Sequence, residues 1–151
     1  MNYRRFIVPT IAAAALAAAG AVGVQQASAH HAFAAEFDGK SPVLLRGKVT
    51  RVEWINPHAW VHVNVVGEDG KTTEWMVEGG TPNTLLRSGI DRNSLKPGTE
   101  IIVRGYQSKD KLCSPACKAN GRDVTFPDGR KLFMGSSGTG APKDGADKTE
   151  K

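Results

Sequence analysis

Four histidines are the residues of this sequence best suited to chemistry, and they fall in two places, His30 with His31 and His58 with His62. If the chain is cleaved after Ala29, His30 carries a free α-amine, whose usual pKa is about 7.7–8.0, beside its own imidazole. Amine and ring nitrogen together chelate a metal, and a third nitrogen from another histidine completes a nitrogen-rich set that suits Cu(II) best and Zn(II) next. The histidines therefore predict a metal site with all four as candidate ligands and copper as the candidate metal.

Other interpretations of these histidines are open from the sequence. The His30-His31 pair is also typical of a solvated tail, His58 of a turn residue and His62 of a structural strand histidine. A metal site requires the lead-in segment to fold back, so that His30 approaches His58. Cleavage two residues earlier would leave His30 third in the chain, where it still chelates Cu(II) with the amine and backbone nitrogens. The arrangement at His30 is similar to that of the exported copper proteins known as histidine-brace proteins. No Cys or Met ligand set accompanies it, which disfavours a Cu(I) carrier.

Residues 1–29 have the three parts of a cleavable signal peptide. Two arginines open it, residues 6–24 are apolar and rich in alanine, and Ala27-Ser28-Ala29 is a cleavage signal. A membrane anchor is the alternative, but a proline and two glycines interrupt the apolar run and no basic cluster follows it. The sequence thus predicts export to the periplasm, a mature start at His30 and no stable membrane insertion after cleavage. General secretion is favoured over the twin-arginine route because Tyr3 stands where Ser or Thr is usual.

The composition of the remaining chain bounds its size and its partners. Residues 30–151 suffice for one domain with a modest core. Without the two arginines of the signal peptide, Lys+Arg falls from 20 to 18 against 15 Asp+Glu, a net charge of +3. This mild charge forms no basic stripe, so no nucleic-acid partner is predicted, and the partner is an unidentified small ligand or periplasmic protein. Residues 135–151 contain no large apolar side chain and are predicted to be a disordered tail, which leaves residues 30–134 for the domain.

The only two cysteines, Cys113 and Cys117, lie four residues apart. In an oxidising compartment such a pair is most simply a disulfide that closes one loop. The spacing has three intervening residues and not the two of a thioredoxin-type motif, so a redox role is the weaker alternative.

The pattern of residues 42–134 predicts a mainly β domain with one short helix. Strands are predicted at 43–55, 60–66, 72–78, 100–106, 123–126 and 131–134. The first strand contains Gly47, and its apolar spacing slips between Val49 and Val52, which predicts a bend or a bulge. A helix is predicted between the third and fourth strands. Its signals are Thr81 as the N-terminal cap, a proline directly after it, and Gly89 just past the end.

This order of elements is that of a five-stranded barrel of the OB type, in which a helix lies between the third and fourth strands. The predicted fold is therefore an all-β, OB-like barrel of five to six strands. An open antiparallel sandwich of the same strands is the alternative.

A second candidate surface lies where the first long strand ends. Trp54, Asn56, His58 and Trp60 cluster there, and aromatic rings beside amides suit sugars or peptide segments. The alternative is that Trp54 and Trp75 belong to the core. This surface predicts an accessory module that binds a non-metal ligand or a protein.

Catalysis is not predicted. Glu53, Glu74 and Glu78 are available as carboxylates, but no Ser-His-Asp spacing, phosphate loop or H-E-x-x-H motif appears.

Several of these positions together resemble a family of small exported bacterial proteins classed as a domain of unknown function. The matching positions include Glu53-Trp54-Ile55-Asn56-Pro57-His58-Ala59-Trp60, of which the Asn-Pro-His-x-Trp stretch is the most specific part, and His30-His31-Ala32-Phe33 is the match nearest the mature N-terminus. The resemblance covers nearly all of the mature domain and implies export and fold, but no activity. Cys113 and Cys117 lie outside the matching positions.

Overall fold

The structure, a computed structural model, describes residues 33–135. The predicted signal peptide, His30, His31 and residues 136–151 of the predicted tail lie outside the described residues. Residues 33–36 are helical, and the elements that follow are β1 (Phe37–Glu53), β2 (Trp60–Val66), β3 (Thr72–Glu78), α1 (Pro82–Arg87), β4 (Glu100–Ser108), β5 (Cys117–Thr125) and β6 (Lys131–Phe133). No helix within this range is long and apolar enough to cross a membrane.

The six strands form one sheet that closes on itself. Their order is β3-β2-β1-β4-β5-β6 with antiparallel neighbours, and β3 also pairs with β5 in parallel. That last pairing joins the two sides of the sheet into a ring, with α1 between β3 and β4 along the chain. The predicted all-β, OB-like fold is confirmed, and the open sandwich is excluded because the sheet closes.

The long strand β1 makes this closure possible because it pairs with β2 along one part and with β4 along another. The predicted irregularity is present: Val49 and Arg51 pair with consecutive residues of β2, so Thr50 is an extra residue. A Cβ at Gly47 would collide with the carbonyl oxygen of Asn64, so only glycine permits this close approach of β1 to β2.

The short helix α1 forms where its capping and terminating residues predict it. The hydroxyl of Thr81 accepts a hydrogen bond from the backbone N–H of Thr84 at 3.1 Å, and Pro82 occupies the first turn. Gly89 follows the helix with a φ of +86°, a conformation that glycine adopts without strain. Leu85 is the residue that anchors the helix to the core, since it is fully buried.

The core fills the inside of the ring. Alternate residues of the strands point inward, and the fully buried ones are mostly valine, which suits a narrow barrel. They include Val61, Val63, Val77, Val103 and Val124. The opposite, outer faces of the strands are therefore where polar and functional side chains can lie.

The predicted starts of two strands were wrong by six residues, whereas four predicted strand ends differ from the structure by only one or two. β1 begins at Phe37 and not at Val43, because the lead-in segment pairs with the end of β4 at Ser108. β5 begins at Cys117 and not at Asp123, because its first residues gain their pairing from β3, a contact between distant parts of the chain. Neither partner is visible in the local sequence pattern.

The predicted disulfide is confirmed, since Cys113 and Cys117 are bonded to each other. It closes a short exposed loop immediately before β5. The disulfide therefore constrains only the loop that leads into β5.

Candidate histidine–carboxylate site

The lead-in segment folds back onto the outer face of the barrel. The ring of Phe33 stands edge-on to that of Tyr106, with 5.7 Å between centroids, and lies 5.9 Å from that of Phe37. All three side chains are buried and form a small apolar cluster of their own. Lys109 fastens the same segment, because its backbone N–H donates to the carbonyl of Glu36 at 2.9 Å and its Nζ to that of Ala34. The segment just after His30 and His31 is therefore held against β4.

His58 lies beside the place where the lead-in segment is held. It sits in the loop between β1 and β2, and its neighbour Ala59 exchanges backbone hydrogen bonds with the two glycines after β3: Ala59 N–H donates to Gly80 at 3.0 Å and Gly79 N–H donates to Ala59 at 2.8 Å. These bonds pin the loop to the end of β3, where Glu78 is the last strand residue. The Nδ1 atom of His58 is 3.7 Å from Oε1 of Glu78.

Glu78 is a carboxyl group in an unusual environment. Only 7% of the residue is exposed, and burial raises the pKa of its carboxyl above the ordinary value. Nearby His58 opposes that rise, the negative charge of Glu36 adds to it, and the hydrogen bond from Asn120 opposes it. Asn120 donates from Nδ2 to Oε1 of Glu78 at 3.2 Å. Glu36 of the lead-in segment is thus close enough to Glu78 to act on it electrostatically.

The two ring nitrogens of His58 face different surroundings. Nδ1 is buried and has no hydrogen-bond partner among residues 33–135, since the carboxylate of Glu78 is beyond hydrogen-bond distance. The side chain as a whole is 37% exposed, so part of the ring meets solvent. This ring therefore has a buried nitrogen near a carboxylate and a partly exposed surface that a ligand can reach.

Two further polar atoms in this neighbourhood are buried and have no hydrogen-bond partner in the described part of the chain: the hydroxyl of Tyr106 and Oδ1 of Asn120. Tyr106 of β4 and Asn120 of β5 lie opposite each other in the sheet. On its other side Asn120 lies opposite Glu78 of β3. Sequence reasoning missed Tyr106 and Asn120, and it noted Glu78 only as an available carboxylate. The pairing of β3 with β5 brings them together, and no local motif marks it.

His62 is in a different situation. It is fully buried, with Nδ1 2.9 Å from Oε1 of Glu74 and Nε2 3.0 Å from Oε1 of Glu53. The two carboxylates come from β3 and β1, which flank β2 on either side. His62 therefore joins three strands through its side chain, and both of its nitrogens already have partners.

The residues of the second candidate surface are partly committed to packing. Trp54 and Trp75 both pack against the core, as the alternative interpretation of these rings predicts. The guanidinium carbon of Arg92 also lies 5.3 Å from the centre of the Trp54 ring, a cation–π contact. Trp60 is half-buried and Asn56 is exposed.

No three His, Cys, Asp or Glu side chains within residues 33–135 are grouped closely enough to hold a metal ion. His58 and Glu78 are thus a pair to which the described residues add no third ligand.

Comparison with known proteins identifies the sequence family and gives one structural likeness. Residues 17–114 match the model of a family of unknown function, DUF6152. No curated protein matches the chain. Among solved structures, the crystal structure of the mitochondrial single-stranded DNA-binding protein Rim1 from S. cerevisiae is similar, with a TM-score of 0.43 and 9% identity over 64% of this chain and 96% of that chain. This is a likeness of fold alone.

Proposed function

The chain belongs to DUF6152, a family of unknown function. From the chain's own geometry we propose that it is an exported, periplasmic module that binds Cu(II). In this proposal cleavage after Ala29 frees the amine of His30. The amine and ring of His30 and the ring of His58 are the ligands, with His31 as a further donor. The module binds its metal and catalyses no reaction.

The observation that carries the proposal is the packing of the lead-in segment beside His58. Phe33 is buried against Tyr106 and follows His30 by three residues. Three residues reach at most roughly 10 Å, so a ligand at His30 would have to lie within that distance of Phe33. The packing of Phe33 supports the proposed approach of His30 to His58.

The surroundings of His58 support the same proposal. A metal-ligating histidine usually directs its second ring nitrogen at a carboxylate, which fixes the orientation of the ring. Nδ1 of His58 faces Glu78 at 3.7 Å, and a small rotation on metal binding would make this a hydrogen bond. Glu78 would then orient His58 without touching the metal.

Copper is favoured over other metals by the donor types. Two imidazoles and an amine form a nitrogen-rich set, and divalent copper has the highest affinity for such ligands in the first-row series. The amine and imidazoles must lose their protons to bind, so uptake of Cu(II) should release protons and weaken as the pH falls. His62 is left out of the ligand set because both of its nitrogens are engaged.

Native mass spectrometry of protein exported to a periplasm and purified without chelator tests the proposal. We expect a mass that begins at His30 and one tightly held Cu(II) per chain. A variant with one glycine inserted before His30 keeps every side chain but moves the amine. It should bind Cu(II) about 100-fold more weakly, since loss of a ligand should cost at least as much as the roughly 10–100-fold cost of losing an outer-shell partner. His58→Ala should weaken binding about tenfold or more.

The matched control for His58→Ala is Asn56→Ala, which changes an exposed residue of the same turn. Its copper affinity should equal that of the unmodified protein. Equal affinity in the glycine-extended variant, or uptake of copper only at millimolar concentration, would overturn the proposal.

Recognition of a non-metal ligand or a protein at Trp54, Asn56 and Trp60 is the second candidate function. The observation in its favour is that Ile55, next to Trp54 in the sequence, is 51% exposed and adds apolar surface there. Tryptophan fluorescence separates the two functions. A spectral shift with maltotriose or trialanine supports the surface, whereas quenching by Cu(II) alone supports the metal site.

A further inference from the structure

A cavity of about 580 Å³ opens at the far end of the barrel from His58. Its lining includes Val66 at the end of β2, whereas His58 precedes the first residue of that strand. At about 3.3 Å per residue, the length of β2 separates the two places by roughly 20 Å. The cavity is therefore independent of the proposed metal site. Its volume lies within the range of small-molecule sites, about 300–1,000 Å³.

The bend of β1 shapes this cavity. Gly47 lies in its wall, at the position where β1 pairs with both β2 and β4. The apolar part of the lining comprises Ile101 and Phe126 from the core, half-buried Ile102, and exposed Val66 and Pro127. A molecule in this cavity would thus meet an aliphatic and aromatic floor.

The rim of the cavity carries a surplus of positive charge. Arg46 and Lys48 project from β1 and are exposed, and among the described residues Glu100 is the only carboxylate in the lining. Glu100 pairs with Lys48 at 3.3 Å, and both side chains are about two-thirds exposed, so this pair is weak and screened. Within residues 33–135 no carboxylate lies within ion-pair distance of Arg46. Its guanidinium is a fork of donors suited to a carboxylate or sulfonate.

From these features we infer that the cavity binds a small organic anion, with its flat apolar body on the floor formed by Ile102 and Phe126 and its acidic group on Arg46. The side chains of Asn64, Thr72 and Thr125 also line the cavity and supply hydrogen-bonding groups that would orient polar substituents. A few convergent polar groups around an apolar surface are the usual composition of a small-molecule site.

The probe for this site is 8-anilinonaphthalene-1-sulfonate, and its matched control is N-phenyl-1-naphthylamine, which has the same rings without the sulfonate. Titration of the metal-free full-length mature protein is followed by amide chemical shifts. We expect the sulfonate to shift the amides of Gly47, Asn64 and Thr72 with one-to-one stoichiometry. The neutral compound should bind at least about tenfold more weakly, the value of one lost charged contact.

Variants of Arg46 locate the anion. Arg46→Ala should weaken sulfonate binding about tenfold and Arg46→Glu should abolish it, whereas Arg46→Lys should retain most of it. Arg87→Ala removes an exposed arginine from the last turn of α1 and should leave binding within about twofold. Equal binding by Arg46→Ala and Arg87→Ala, equal affinity for the two compounds, or shifts confined to the His58 end would each overturn the inference.

Discussion

The two histidines His58 and His62 stand four residues apart in the sequence, yet the fold gives them opposite surroundings. His62 is fully buried and both of its nitrogens contact carboxylates within 3.0 Å. His58 is 37% exposed, and its buried Nδ1 faces Glu78 at 3.7 Å without a hydrogen bond. A ring whose hydrogen-bonding capacity is already used stabilises the fold, whereas a ring with unused capacity at the surface is suited to binding.

The difference arises from the strand positions of the two residues. His62 is in the middle of three paired strands, so β1 and β3 each bring a glutamate to it. His58 precedes β2 and meets only the last residue of β3. The end of a strand therefore provides the open position, as is common for binding residues in loops held by a rigid scaffold.

Replacing His62 gives the largest effect that this comparison predicts. His62→Ala leaves a cavity and removes the contacts of both ring nitrogens with carboxylates, which should lower the free energy of unfolding by about 2–3 kcal/mol. For a domain of this size that corresponds to a fall in Tm of roughly 10 °C. Thermal and urea unfolding of the metal-free protein measures it.

His58→Ala is the matched variant, and its effect on the unfolding of the metal-free protein should stay within about 0.5 kcal/mol, as for a half-exposed residue without hydrogen bonds. If the two substitutions lowered the free energy of unfolding equally, His58 and His62 would contribute equally to the stability of the fold, and the proposed contrast would be wrong.

Releasing the lead-in segment should have an intermediate effect, on copper binding. Phe33→Ala removes the ring that packs on Tyr106 and frees the mature N-terminus, which lowers the effective concentration of His30 at His58. We expect Cu(II) to bind about tenfold more weakly, which isothermal titration calorimetry measures. Phe133→Ala, at a ring that is 48% exposed, is the control and should bind as the parent does. Unchanged affinity in Phe33→Ala would separate the packing of the segment from the metal site.

Much of the fold follows from local sequence signals. Strand β2 is predicted correctly from its alternating valines, and α1 from the residues at its two ends, Thr81 and Gly89. Both signals depend on residues close in the chain. The early part of β5 was missed because its partner, β3, is about 40 residues away in the sequence. Closure of the ring was predicted only through the order of the elements.

The candidate site was predictable only in part for the same reason. The four histidines stand out by residue type, but the sequence gives His58 and His62 equal weight. Their glutamate partners are selected by strand register, and the sequence pattern does not specify which glutamate meets which histidine. The buried surroundings of Glu78, including Tyr106 and Asn120, are likewise a product of tertiary pairing.

The smallest predicted effect concerns the pH dependence of stability at Glu78. Burial raises the pKa of this carboxyl in the folded protein above the ordinary value of 4.5. Between the two pKa values the folded state holds a proton that the unfolded state has lost, so stability falls as the pH rises through this window. Below the window both states are protonated, and the penalty for the buried charge disappears.

Glu78→Gln removes this charge and can still accept the hydrogen bond from Asn120. At about pH 8 it should raise the free energy of unfolding of the metal-free protein by about 1 kcal/mol, and at about pH 4 it should change nothing. Urea unfolding at the two pH values measures this, with Glu100→Gln as the control at an exposed carboxylate that should show no such difference. If Glu78→Gln destabilises the protein at about pH 8, the attraction between Glu78 and His58 outweighs the cost of burying the carboxylate. In that case both histidines would stabilise the metal-free fold through a carboxylate, and they would differ only in how strongly they do so.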